Sequence, residues 1–229
     1  MKILALDTSM GACSAAILRA EAGAIRLHAR QEAMARGHAE ALMPMVAGLL
    51  AEAAIAASDL DLIAATEGPG SFTGVRIAIA AARGLALATG AKLYGTDSLS
   101  VMARAARESD LPLDAPFAVA VDARRGMLYL GLYDDAGRRR DGPLLVAPDE
   151  AAGLLPADVG IAAGSGASLL AEASALRGRS IEVALPELLP SAAALAAIAL
   201  GAGETHQTLR PLYLRPPDAR PQAAGIVRR

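Results

Sequence analysis

Cysteine, histidine and aromatic side chains are scarce in this sequence. Its 229 residues include one cysteine, three histidines and no tryptophan, with an aromatic share of 3%. Cys13, standing alone, excludes an internal disulfide and a cysteine-based metal cluster. His28, His38 and His206 form no His-x-x-x-His pair, the spacing that sets two imidazoles on one helix face to hold a metal. Few aromatics leave little surface for stacking bases, and 22 basic against 24 acidic residues create no broad positive field. Both shortages argue against direct nucleic-acid binding, whether by stacking or through phosphates. Long apolar runs are missing too. The longest uncharged stretch, 188–203, has 16 residues and holds Pro190, Gly201 and Gly203. A spanning helix needs roughly 20 apolar residues. Near the start, Asp7 interrupts the apolar run too early for a secretory signal. A soluble, cytoplasmic protein without membrane association is the expectation.

What the chain has in abundance is small apolar residues. Alanine fills 56 of the 229 positions, and 54% hydrophobic against 20% charged residues is a globular composition with length enough for two lobes. The opening reads as a three-stranded antiparallel meander. Residues 3–7 and 13–18 are apolar runs joined by the turn Asp7-Thr8-Ser9-Met10-Gly11. In residues 24–30, Ile25, Leu27 and Ala29 alternate with Arg26, His28 and Arg30, which predicts one dry and one wet face. From Ala39 to Ala56 the period turns helical, with Leu42, Met45, Val46, Leu49 and Ala53 on one stripe. A strand at 60–66 leads to Gly68-Pro69-Gly70-Ser71-Phe72-Thr73-Gly74. There Thr73 is placed to cap a helix to Thr89 whose stripe is Val75, Ala78, Ile79, Ala82 and Ala86. Another strand at 92–95 and a helix from Ser98 to about Arg107 follow.

Pro112 and Pro116, with Asp110 and Asp114, mark a boundary that predicts an N-terminal lobe at 1–108 and a C-terminal lobe at 109–229. The second half repeats the first. Apolar residues 117–121, the turn Asp122-Ala123-Arg124-Arg125-Gly126 and apolar residues 127–133 precede a third strand near 144–147. Gly164-Ser165-Gly166 leads into a helix at 168–176, and Ser191 is placed to cap a last apolar helix. Such duplication predicts a two-lobed α/β fold of the actin-like, sugar-kinase and heat-shock ATPase type, ribonuclease H-like in each lobe.

In that fold Asp7, Thr8 and Ser9 could face Asp122 across a cleft, with hydroxyls and amides for phosphates and a carboxylate for hydrated magnesium. Gly164 and Gly166 would let an adenosine pass close to the backbone. The same segments also read as ordinary turns. Arg124 and Arg125 crowd the second turn, against a kinase; such a pair could hold a carboxylate or phosphate, though a solvated surface role is its more frequent fate. The amides around Gly70 and Gly74 open a helix and could accept an anion, or simply connect a strand to a helix. Ser71 lacks a Gly-x-Ser-x-Gly elbow and a histidine near in sequence, a weak basis for a peptidase.

Three segments, Arg36-Gly37-His38-Ala39-Glu40-Ala41-Leu42-Met43-Pro44, residues 68–77, and Pro211-Leu212-Tyr213-Leu214-Arg215, together resemble the bacterial TsaB (YeaZ) family. The resemblance spans essentially the whole chain and is strongest over residues 1–105. It implies a dimerisation subunit in the making of N6-threonylcarbamoyladenosine at position 37 of tRNA, noncatalytic alone and partnered by the related catalytic subunit TsaD. That subunit holds metal through a His-x-x-x-His pair near the start of its third helix. The matching stretch here, residues 95–102, has no histidine. By the same resemblance the first two helices pair with those of the partner in a four-helix bundle, with His38, Leu42, Met45, Val46, Leu49, Phe72, Val75, Ala78, Ile79 and Ala82 as interface residues. A TsaE-type ATPase joins, tRNA is reached indirectly, and without its partner the chain is expected to form a homodimer. No cofactor or metal is assigned to the chain itself; ATP or ADP with magnesium is allowed for within the complex. A small-molecule kinase or ATPase and an M22-like peptidase stay as alternatives.

Overall fold

A computed structural model describes residues 1–21, 23–109, 114–203 and 208–215. Its first half builds a five-stranded sheet from β1 (Lys2–Asp7), β2 (Ala12–Glu21), β3 (Ala24–Ala33), β4 (Leu62–Thr66) and β5 (Lys92–Thr96). β1 to β3 form the antiparallel meander, and β4 and β5 run parallel to β1, giving the order β3-β2-β1-β4-β5. The second half repeats this order with β6 (Phe117–Asp122), β7 (Leu128–Tyr133), β8 (Arg139–Val146), β9 (Ile161–Ala163) and β10 (Glu182–Ala184). Among the described residues six α-helices accompany them: α1 (His38–Glu52), α2 (Phe72–Thr89), α3 (Ser98–Arg107), α4 (Pro148–Leu154), α5 (Ala167–Leu176) and α6 (Ala192–Ala202). Two sheets with one strand order establish the duplicated, two-lobed α/β plan expected from the sequence.

Helices cover the first sheet on both faces. Leu4 and Leu6 of β1 point into a core shared with α1 and α2, while Ile3 and Ala5 point into one shared with α6 and Val101 of α3. A strand buried on both sides reads as a continuous apolar run, and β1 does. The edge strand β3 departs from expectation, with Ile25 63% and Leu27 47% exposed on what was to be its dry face. The covering helix α6 centres on β1 and β2, so burial fades toward that edge.

α6 follows the expected 108/109 boundary in the chain, yet its Leu195, Ala196 and Ala199 pack against the first sheet. Two caps differ as well. Ser71, not Thr73, caps α2, its Oγ accepting the Gly74 amide at 3.0 Å. Ser191 stands at the start of α6 without a side-chain bond, and the Ala192 amide donates to Ser14 Oγ at 2.9 Å. α4, β9 and β10 have no counterpart among the elements expected from the sequence, α1 stops four residues earlier than the 39–56 period predicts, and His206 and the 110–113 part of the expected boundary lie outside the described residues.

α3 joins the lobes. Leu99, Met102, Ala103 and Ala106 pack against Phe117, Val119, Val121 and Tyr133 of the second sheet, where the Phe117 and Tyr133 rings stack at 5.6 Å. Asp97 caps α3 by accepting the Ser100 amide at 2.8 Å, and its Oδ2 accepts Arg139 from β8 at 2.7 Å.

Candidate functional site

The first turn, at the end of β1, is folded inward. Asp7, Thr8 and Ser9 are all buried. Ser9 donates its Oγ to Asp7 Oδ2 at 2.8 Å, Thr66 Oγ1 donates to the same oxygen, and the Ser9 amide reaches Asp7 Oδ1 at 3.3 Å. Burial pushes the Asp7 carboxyl up to about 6, and these hydrogen bonds hold it back from rising further. Thr8 Oγ1 donates to Gly74 O at 2.6 Å and accepts the Ala78 amide at 3.1 Å, which pins α2 to the turn. Groups expected to meet phosphate and magnesium are thus engaged with the protein itself.

The Gly68 to Gly74 segment does the closing. Ser71 donates its amide to Ser9 O at 2.7 Å. A Cβ on Gly70 would lie 2.3 Å from Ser9 O, and one on Gly74 would lie 2.0 Å from Thr8 O, so only glycine permits this approach. Ser71 Oγ is held in the helix cap, and the His38 ring nitrogen meets Met10 O at 3.1 Å rather than Ser71. A nucleophilic Ser71 has no support in that geometry.

Between the lobes lies a cleft of about 860 Å³. Met10, Phe72, Val121, Tyr129 and Leu188 supply apolar wall, and Ser9, Ser165 and Asp122 also face it. Asp122 Oδ1 accepts the Arg124 amide at 2.7 Å and its Oδ2 pairs with the Arg124 guanidinium at 3.3 Å. Gly164 and Gly166 lie against β6, with Cβ positions 2.6 Å from Ala120 O and 2.6 Å from Leu128 Cδ2, so their role here is packing within the second lobe. The tail, residues 208–215, crosses from the first lobe to this cleft. Leu209 is buried in the first core, the Leu212 amide donates to Glu67 O at 2.6 Å, and Arg215 donates to Arg124 O at 3.3 Å. Tyr213 stacks on Phe72 at 5.2 Å and accepts Arg76 Nε at 2.6 Å. In the sequence this strap shows only as the motif Pro211-Leu212-Tyr213-Leu214-Arg215, which does not tell what the segment crosses.

The proposed interface stripes require a correction. Leu42, Met45, Val46 and Leu49 of α1, and Val75, Ala78, Ile79 and Ala82 of α2, are buried in the chain's own core against the first sheet. An amphipathic stripe on a helix beside a sheet is satisfied by that sheet first. His38 is half-buried at the start of α1; Phe72, 48% exposed, stays at the surface. The faces turned outward are different ones: Ala39, Met43 and Ala47 on α1, and Ala80, Gly84, Leu87 and Ala88 on α2. Met43 is 44% and Leu87 89% exposed. α2 is apolar and long enough, at 18 residues, to cross a membrane by length and composition, yet its buried side lies on the sheet.

Fold and site define a two-lobed α/β protein of two like sheets, with a closed first turn and an outward helix pair whose exposed small and apolar residues are flanked by Glu40, Arg76 and Arg83. The family model for TsaD, tRNA N6-adenosine threonylcarbamoyltransferase, matches residues 27–198. The crystal structure of YeaZ from Pseudomonas aeruginosa superposes with a TM-score of 0.78 at 34% identity, covering 93% of this chain and 99% of that one. An uncharacterized protein of Mycobacterium tuberculosis is 36% identical over 96% of this chain and 95% of its own length. The tRNA threonylcarbamoyladenosine biosynthesis protein TsaB of Escherichia coli is 37% identical over 133 residues, 58% of this chain and 55% of its own. The chain belongs to the TsaB (YeaZ) family, within the wider group that the threonylcarbamoyltransferase family model describes.

Proposed function

We propose that this protein is a noncatalytic docking subunit for a TsaD-type paralogue that forms N6-threonylcarbamoyladenosine in tRNA, in the cytoplasm. The outward face of α1 and α2 carries the reading. Exposed Ala80, Gly84 and Ala88 recur every fourth residue on α2, and Ala39, Met43 and Ala47 do so on α1. Small residues at that spacing let a second helix pair approach closely, and Met43 and Leu87 supply apolar contact that adapts to its partner. An exposed apolar face of this kind marks an interaction surface. The engaged Asp7, Thr8 and Ser9 agree with a subunit that leaves nucleotide and magnesium to the assembled complex. A TsaE-type ATPase would join that complex, and tRNA would be met through the partner.

Co-expression with the TsaD-type protein from the same cell tests this. A heterodimer is expected on gel filtration, and tRNA modification should need both chains. Ala80→Glu and Leu87→Glu should abolish the complex and leave the melting temperature of the isolated chain within about 2 °C, since exposed positions tolerate polarity. Val46→Glu should unfold the chain instead. Survival of the complex in both surface variants, or a wild-type chain found only as a homodimer beside the paralogue, overturns the reading.

A further inference from the structure

A strand at the edge of a sheet offers unpaired amides and carbonyls to another chain, and proteins blunt such edges by short length, proline or bulges. Three of the four sheet edges are blunted in this way. β5 has five residues and β10 three, and β8 carries Pro143, which has no amide to offer, and register shifts opposite Leu130 and Leu132. β3 has none of these devices. Its ten residues pair with β2 in unbroken register, include no proline, and nine of the ten are exposed. Among the described residues nothing pairs with its outer edge. Ile25 and Leu27 lie exposed on the side of the sheet that α6 covers. Arg26, His28, Arg30 and Glu32 lie on the α1 side, where Arg30 is paired with Glu52, while Arg26 and Glu32 have no hydrogen-bond or ion-pair partner. Beside Glu32 an open groove of about 440 Å³ runs between β3 and α1, with Glu40 on its other wall.

We propose that β3 pairs antiparallel with β3 of a second copy about a two-fold axis through Ala29, so that the two first-lobe sheets become one. Charge complementarity selects both the occupant and the register. An axis at Ala29 sets Arg26 opposite Glu32 of the second copy, twice, and brings each arginine to the acidic groove beside α1. Opposite charges facing each other across an antiparallel pair are stabilising, and like charges are not. On the other face Ile25 meets Ala33 and Leu27 meets Gln31, large side chains against smaller or flexible ones. His28 meets Arg30, whose charge Glu52 already takes. Moving the axis to His28 would set Arg26 against Arg30, and moving it to Leu27 would set Arg26 against His28 and leave Glu32 without a cation. The Ala29 register alone joins the two free charges. This edge is a different surface from the docking face, since α2 packs on β1, β4 and β5, and either inference can fail alone.

Sedimentation velocity of the full chain at low salt, over a concentration series, is the test. So small an interface predicts a dimer with a dissociation constant of about 10–100 µM, so a docked complex diluted on gel filtration still runs as a heterodimer. Arg26→Glu and Glu32→Arg each place two like-charged contacts in the dimer and should weaken it about tenfold or more. Both positions are exposed, so the melting temperature should stay within about 2 °C of wild type. An equimolar mixture of the two variants should recover the wild-type affinity, because every contact between unlike variants is again opposite in sign. Leu87→Glu, on the docking face, should dimerise as wild type does. A chain that stays monomeric throughout the series, a dimer lost in Leu87→Glu, unchanged affinity in both charge variants, or a mixture no tighter than its components overturns the proposal.

Discussion

Adding one methyl group at Gly74 tests whether α2 is truly clamped to the first turn. The new Cβ of Gly74→Ala would sit 2.0 Å from Thr8 O, against an ordinary contact of 3.4–4 Å. The obstacle is backbone, so α2 has to withdraw by more than about 1 Å, an overpacking cost of about 1–3 kcal/mol. Withdrawal stretches two buried hydrogen bonds, Thr8 Oγ1 to Gly74 O at 2.6 Å and the Ala78 amide to Thr8 Oγ1 at 3.1 Å. Each is worth about 1 kcal/mol net. Alanine returns up to about 1 kcal/mol of helix propensity, which leaves a net loss of about 3 kcal/mol. In a chain of this size that lowers the melting temperature by about 6–12 °C. Gly84→Ala, in the same helix, provides the contrast: its Cβ meets nothing within 4 Å. That variant should gain up to about 1 kcal/mol and melt about 2–4 °C higher. Thermal melts followed by circular dichroism read both. A Gly74→Ala protein melting within about 2 °C of wild type would refute the clamp.

Two further outcomes follow from buried carboxylates. Asp7 has its pKa raised from 3.8 to about 6, so its contribution is fully present below about pH 4 and is lost as pH rises through 6. Over that window the loss amounts to about 3 kcal/mol. Asp7→Asn should flatten the pH 4–7 stability profile in urea titrations, and an unchanged slope would count against it. Asp97→Ala removes the α3 cap at 2.8 Å and the partner of Ser100 Oγ at 2.6 Å, a cost of about 2–3 kcal/mol in urea unfolding. Arg139→Ala should cost less, because the 5%-exposed Asp97 carboxylate keeps its bonds to the Ser100 amide and Oγ. A reversed order would show that the cap is not what holds α3.

Strand positions and the duplication were legible because the apolar runs of β1, β4 and β6 are short, β-rich and bounded by acidic turns. The helix stripes were legible too, but not what they face. Leu42 and Val75 obey the same period whether a sheet or another protein covers them, and periodicity alone carries no information about the covering surface. What distinguishes the two sides of α2 is the sheet's position, a long-range fact. The first turn shows the same limit. Asp7-Thr8-Ser9 has the composition of a phosphate loop, and its closure depends on Gly70 and Gly74, more than 60 residues away. The strap is harder still, since Tyr213 reaches Phe72 and Arg76 from the far end of the chain.

Closure of the turn and exposure of the helix pair are one event. The residues that seal Thr8 and Ser9, Gly70 to Gly74, are also the entry to α2, and the close glycine contacts fix where that helix starts along β1. The strap then holds the same helix from outside: Tyr213 accepts Arg76, and Leu209 O accepts Arg83. A helix fixed at its buried side and along its flank presents Ala80, Gly84 and Leu87 with little freedom left to lose. Association then needs less ordering at the interface, and more of the contact energy appears as affinity. An open phosphate loop would need those glycines loosened from the turn, and a loosened α2 would be a poorer docking surface. Under the proposed docking role, the closed first turn and a rigid face on the first two helices therefore go together.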